Sequence, residues 1–327
     1  MIKFLVALAV GLPIAVVTPA AQASPPPDGR ISLAALRDAT LDVPRWPADG
    51  LLCPSGRVRF RDGEAAVTPS DVPDGRPPAG QSLTILAAAH GDIDNDGADE
   101  TVALLGCMIE GGTKQIVAYD RDRDGRIVSR GRVTATTGQV RDIRDDSLRI
   151  RRSGMVTARL ADYQRCCADT TPQTWQTRGY ALRAGRFIQV SGPSRMPLNP
   201  SVTAIRVTTG DLTLGPPNGG YRYGSVEVTV THRWGSRPKS VVLQFLPPDG
   251  LERTGDRWPP VTTAADSFEV RVAAPAAGRS VTHRFEFRRP AGSPAGGDLA
   301  VDLSTKPPTS PAVPWETYAT AKIVQTG

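Results

Sequence analysis

The chain has 327 residues, with 39 Lys and Arg against 33 Asp and Glu, for a net charge of +6. That length suits two domains, and 32 glycines and 30 prolines spread through short alternating apolar runs disfavour a helical bundle. The densest basic stretch, 141–152, is interleaved with Asp142, Asp145 and Asp146 and lacks aromatic platforms, so it reads as a solvated strand face and not a nucleic-acid surface.

Residues 1–23 have the pattern of a secretory signal. Lys3 supplies the charge, 4–17 the apolar core, and Ala21-Gln22-Ala23 an A-x-A cleavage site. The expectation is a secreted, extracellular protein with no transmembrane segment in its mature form, since no later run is long enough to cross a bilayer. Residues 24–30 form a flexible leader. Residues 31–41 predict one short helix with Ser32 as N-cap and Leu33, Leu36 and Leu41 apolar, stopped by Pro44. A strand is predicted near 53–60, a Pro/Asp/Gly loop at 69–78, and a strand at 82–89.

The next stretch, HGDIDNDGADE, gathers five carboxylates in nine residues of a basic chain. With Asp92 at position 1, acids fall at positions 1, 3, 5 and 9 (Asp92, Asp94, Asp96, Glu100). Gly97 stands at position 6, and Ala98 offers its carbonyl at position 7. This is the oxygen spacing of an EF-hand-type Ca2+ loop, in which odd positions converge on the ion. Two carboxylates about 4 Å apart repel by ~4 kcal/mol near a protein surface, so converging acids call for a cation. The competing reading is a polar turn without metal. Position 12 is Ala103 instead of Glu, and 101–105 reads as a buried strand. The segment therefore resembles the strand-preceding Ca2+ loops of FG-GAP and integrin-type repeats, D-x-[DN]-x-D-G-x-x-[DE]. That resemblance implies Asp92, Asp94, Asp96, the Ala98 carbonyl and Glu100 as Ca2+ ligands. The loop occurs once in full form, whereas a propeller needs about 4–8 blades, so the resemblance extends to the loop alone. The similar string at 120–125, DRDRDG, lacks closing ligands and reads as a hairpin turn through Asp124-Gly125.

A meander follows. Strands are predicted at 100–107, 115–119 and 127–133, then 147–151 with 156–163 about Gly154, and 175–183 with 186–190 about Gly185. The order, with a Cys-Cys pair and a closing Y-x-L-x-x-G-R-F-x-Q-x-x-G-P hairpin, resembles a class of exported actinobacterial proteins. No activity is implied by it. The four cysteines, Cys53, Cys107, Cys166 and Cys167, are an even set in an exported chain and predict disulfides. A bond between the neighbours 166 and 167 would close a strained ring, so each is expected to pair with one of Cys53 and Cys107.

Residues 192–200 read as a linker closing a first domain of 31–191. From 201 to 327, short alternating strands are predicted at 202–207, 211–214, 225–232, 239–246, 267–273, 280–288 and 298–303, with an edge strand at 319–324. This suits an Ig-like sandwich and resembles the Ig-like modules appended to bacterial surface proteins, without the antibody disulfide. The fold class is all-β: a disulfide-stapled antiparallel β meander domain followed by an Ig-like β-sandwich.

No G-x-S-x-G, H-E-x-x-H, Walker A or G-x-G-x-x-G motif is present. His90 reads as a strand-end hydrogen bonder, and His232 and His283 as strand residues. Glu64 and Glu110 are candidate hydrolase acids by default. Trp175, Trp234, Trp258 and Trp315 are candidates for a sugar-stacking platform, but scattered singly as they are they read as core or rim residues. The expected role is noncatalytic: a calcium-binding protein that binds or scaffolds, with a cell-wall polymer or another exported protein as partner. The competing expectation is a Ca2+-stabilised hydrolase of polysaccharide or wall polymer.

Overall fold

The computed structural model describes residues 28–48, 53–71, 80–108 and 112–327. The expected signal peptide, the start of the leader and Glu110 lie outside the described residues. No described helix is long and apolar enough to cross a membrane.

The first half opens with α1 (Leu33–Arg37). Ser32 caps it as expected, its Oγ accepting from Ala35 N at 3.1 Å. The helix is shorter than predicted. Residues 40–43 leave it for β1 (Thr40–Val43), which pairs with β2 (Gly56–Arg59), so that Leu41 faces Val58. A β-branched pair partner outweighed helical spacing there.

A five-stranded antiparallel meander follows: β3 (Glu64–Ala66), β4 (Ser82–Gly91), β5 (Glu100–Met108), β6 (Thr113–Arg121) and β7 (Ile127–Ala135), in that spatial order. β5 is buried along nearly its whole length. Its alternate side chains enter two different cores. Val102 and Leu104 meet Ile116, Ile143, Val156 and Leu160. Ala103, Leu105 and Cys107 meet Ile31, Leu36, Phe60 and Leu83. A strand covered on both faces needs a continuous apolar run, and TVALLGC supplies it. The first core is closed by a second sheet of β8 (Asp142–Ile143), β9 (Arg149–Ile150), β10 (Val156–Ala161), β11 (Trp175–Arg183) and β12 (Arg186–Ser191). Its hairpins turn where glycine permits positive φ, at Gly154 (φ 72°) and Gly185 (φ 74°).

The cysteine pairing corrects the expectation. Cys53 bonds Cys107, with Cα atoms 6.2 Å apart, and Cys166 bonds its neighbour Cys167. Cys53 and Cys107 share one buried core behind β5. Cys166 and Cys167 instead lie in the loop after β10, where Cys166 faces the second half beside Ala312 and Trp315. Cys167 accommodates the adjacent bond with a left-handed backbone, φ 56°. Cys107 is taken by Cys53 in the core behind β5, which leaves Cys166 and Cys167 to each other.

The segment 192–200 is held at both ends. Gln189 Nε2 donates to the carbonyls of Gly192 and Pro193, and Asn199 Nδ2 donates to Pro172 O at 2.7 Å. Met196 and Asn199 are buried.

The second half is a two-sheet sandwich. One sheet holds β13 (Val202–Thr209), β14 (Leu212–Leu214), β15 (Tyr221–Gly235), β17 (Glu252–Arg253) and β20 (Arg279–Pro290). The other holds β16 (Ser240–Leu246), β18 (Val261–Thr263), β19 (Phe268–Ala273), β21 (Asp298–Lys306) and β23 (Tyr318–Gln325). β14 joins β23 in parallel and links the sheets, while the short β22 (Ser310–Pro311) runs beside the start of β13. Along β15, Val226, Val228 and Val230 are buried and Glu227 is exposed, the alternation predicted for a half-covered strand. The core centres on Phe245, stacked on Phe268 at 5.0 Å and edge-on to Phe285 and Trp258. Trp258 is thus a core residue. Trp234 packs against a small cluster formed by Tyr163 of the first half and Val202, Ala204, Ala312 and Val313 of the second.

Candidate metal site in the acidic loop

The loop between β4 and β5 is tied at its base by the ladder of its own strands, down to the pair Gly91 and Glu100. Asp92 organises the turn from inside. Its Oδ1 accepts from Asn95 N at 2.6 Å and Asp96 N at 3.2 Å, and its Oδ2 from Gly97 N at 3.0 Å. Asn95 (φ 64°) and Gly97 (φ 94°) take the left-handed conformations that coil the chain around that carboxylate.

Glu100, the first residue of β5, is 1 % exposed. Its Oε2 accepts from Ile93 N at 2.7 Å. Burial pushes its carboxyl up to about 7; the Ile93 N–H opposes that rise, and the charges of Asp94, Asp120 and Asp96 add to it. Asp94 Oδ2 accepts from Arg130 Nη2 at 2.7 Å, while its Oδ1 is buried without a partner.

Asp92, Asp94 and Glu100 each present an oxygen, all within 4.8 Å of one another. Among the described residues these are the acids that converge in a group of three. Asp96 stands outside that trio. It is exposed, with Oδ1 accepting from Ala98 N at 2.9 Å, and Ala98 itself is buried. The donor set is all oxygen, as a hard cation requires. An orphaned Asp94 oxygen and a buried Glu100 beside it leave negative charge uncompensated, so the residues fit a Ca2+-type ion.

Other parts of the fold press on this loop. The segment before the helix crosses it: Ile31 N donates to Thr101 Oγ1 at 2.7 Å, His90 Nε2 hydrogen-bonds Ile31 O at 2.9 Å, and Arg30 pairs with Asp99. His90 is a strand-end hydrogen bonder, as its position suggested. The β9–β10 turn abuts the other side, where a Cβ on Gly154 would lie 2.8 Å from Asp92 O. Arg130, on β7, escaped sequence reasoning because nothing in its own surroundings marks it; Gly154 was legible as a hairpin turn, but its place against Asp92 comes only from the packing of that turn on the loop. The DRDRDG string is a hairpin turn, with Asp122 Oδ1 accepting from Asp124 N and Arg126 N. Glu64 is exposed on the short strand β3.

No family model matches the chain, and no curated protein matches it. Similar solved structures include a non-cellulosomal cohesin from the hyperthermophilic archaeon Archaeoglobus fulgidus, 14 % identical over 37 % of this chain and 91 % of that one, with a TM-score of 0.25. The N-terminal domain of PorA is 11 % identical over 41 % of this chain and 94 % of that one, TM-score 0.24. A GH32 β-fructofuranosidase of Bombyx mori is 9 % identical over 77 % of this chain and 63 % of that one, TM-score 0.21. Likenesses at these scores carry no conclusion about ligand or activity.

Proposed function

We propose that this is a secreted calcium-binding β protein with a noncatalytic binding or scaffolding role, in which Ca2+ staples the first domain. The observation that supports it most is the trio Asp92, Asp94 and Glu100, with ligand atoms within 4.8 Å and an unpartnered buried oxygen on Asp94. When bound, the ion supplies charge neutralisation to three carboxylates. Asp92, Asp94 and Glu100 would hold it, with Asp96 and the Ala98 carbonyl as the further ligands that the loop pattern implies. The remaining work belongs to the chain. Asp92 keeps the turn coiled, Ile93 N–H orients Glu100, and Arg130 anchors Asp94.

Export accounts for the Cys53–Cys107 disulfide and for the A-x-A leader. An affinity of ~10⁻⁴–10⁻³ M, usual for extracellular modules, would leave the ion to bind after export. The partner would be a wall polymer or another exported protein. The test is calorimetric titration of the mature protein with Ca2+. One binding event, absent in Asp94→Asn and unaffected by Mg2+ at equal concentration, is expected. No heat and no change in melting temperature at 10 mM Ca2+ would refute the site.

A further inference from the structure

An open groove of about 590 Å³ lies on the sandwich, on the side where β13 and β23 approach each other, with Ala48 of the first half on its rim. Two aromatic rings line it. Trp315, in the 3₁₀ turn Pro314–Thr317, is 40 % exposed, and Tyr318, three residues on at the head of β23, is 51 % exposed. The turn ends where Tyr318 enters the extended strand, and both residues line the same groove. Exposed neighbouring aromatics lining one cleft are an uncommon use of apolar surface and mark a contact site.

The polar lining gives the ligand its sign. Arg233 is paired with Glu316, Nη2 to Oε2 at 2.5 Å, and these two charges cancel. Arg206 on β13 is exposed and has no acidic partner among the described residues. Thr208 and Thr320 add hydroxyls, and the Thr320 hydroxyl donates to Tyr318 Oη at 3.1 Å. The groove therefore offers flat ring faces, hydroxyls and one uncompensated guanidinium. Ring faces suit the C–H faces of a pyranose, hydroxyls suit its hydroxyls, and a guanidinium takes a carboxylate with two parallel hydrogen bonds. The volume lies within the usual range for ligand clefts, about 300–1,000 Å³.

We infer that this groove binds an acidic oligosaccharide, with sugar rings against Trp315 and Tyr318 and a uronate carboxylate on Arg206. The inference rests on the reading of the chain as a binding protein and names the class of polymer bound. It shares no residue with the acidic loop, so the Ca2+ titration and the glycan titration fail separately.

The experiment is calorimetric titration of the mature chain with a hyaluronan hexasaccharide, carrying uronates, and with chitohexaose, which is neutral. The wild type should bind the acidic sugar at least tenfold more tightly than the neutral one. Trp315→Ala should weaken both at least tenfold. Arg206→Gln should weaken only the acidic sugar, to the level of the neutral one. Both residues are exposed, and each variant is checked by its melting curve; Arg206→Met and Trp315→Leu replace any that unfolds. No binding of the acidic sugar at millimolar concentration, equal binding of both sugars, or wild-type affinity in the two variants would each overturn the assignment.

Discussion

Glu100→Gln should make the metal-free protein more stable and at the same time remove its response to calcium. Burial holds the Glu100 carboxyl near 7, against an ordinary value of 4.5. At about 1.4 kcal/mol for each factor of ten in the acid constant, ionising it in the folded loop costs on the order of 3 kcal/mol above pH 7. The folded state holds this proton to higher pH than the unfolded chain does. Its contribution is therefore fully present below about pH 4.5 and is lost as pH rises through about 7. Gln keeps an oxygen to accept from Ile93 N and carries no charge. In EDTA at pH 8 the variant should melt above the wild type, and at pH 5 the difference should shrink. With Ca2+ at ~1 mM and a Kd of ~10⁻⁴ M, the wild type gains about 1.4 kcal/mol, or roughly 3–5 °C for a unit the size of the first half melting by itself. The variant should gain almost none of it. Differential scanning calorimetry at the two pH values, with EDTA and with Ca2+, reads all four states. A variant that melts below the wild type in EDTA at pH 8, or that gains as much from Ca2+, would show that Glu100 is neither charge-strained nor a ligand.

Other outcomes are as specific. Gly154→Ala puts a Cβ 2.8 Å from Asp92 O at a φ of 72°; it should cost about 1–3 kcal/mol and weaken Ca2+ binding, and unchanged affinity and melting would break the link between the β9–β10 turn and the loop. Lys114 Nζ is buried between Asp142 Oδ1 at 2.9 Å and Asp145 Oδ1 at 2.7 Å. Lys114→Met should cost about 3–5 kcal/mol by leaving a buried carboxylate unpaired, and Lys114→Met with Asp142→Leu should recover most of that in urea unfolding; a double variant no better than the single one would count against the pairing. Cys53 and Cys107 are 54 residues apart in the chain, so Cys53→Ala with Cys107→Ala should lose about 4 kcal/mol by the loop-entropy relation. Maleimide labelling of the native protein should find no free thiol, and digestion should recover Cys166 and Cys167 in one peptide without Cys53; a peptide joining them to Cys107 would overturn the pairing.

Much of the fold was legible one segment at a time. The continuous apolar run of β5 announced burial on both faces, and the alternation of Val226, Val228 and Val230 announced a half-covered strand. Gly125, Gly154 and Gly185 marked their hairpins, because few other residues take a left-handed turn cheaply. Ser32 marked the helix start, and the acid spacing marked the loop. Local chemistry sets these features, so local sequence carries them. What tertiary structure alone decided involves residues far apart in the chain. It decided which acids converge, turning Asp96 outward and bringing Asp92, Asp94 and Glu100 together. It set Arg130 against Asp94 across 36 residues, and it brought Cys53 to Cys107, leaving Cys166 and Cys167 to bond each other. It also brought Trp315, which stands singly in the sequence, and Tyr318 to the lining of one groove beside Arg206. Each of these depends on how sheets stack and register, a sum over many weak contacts that no short window of sequence contains.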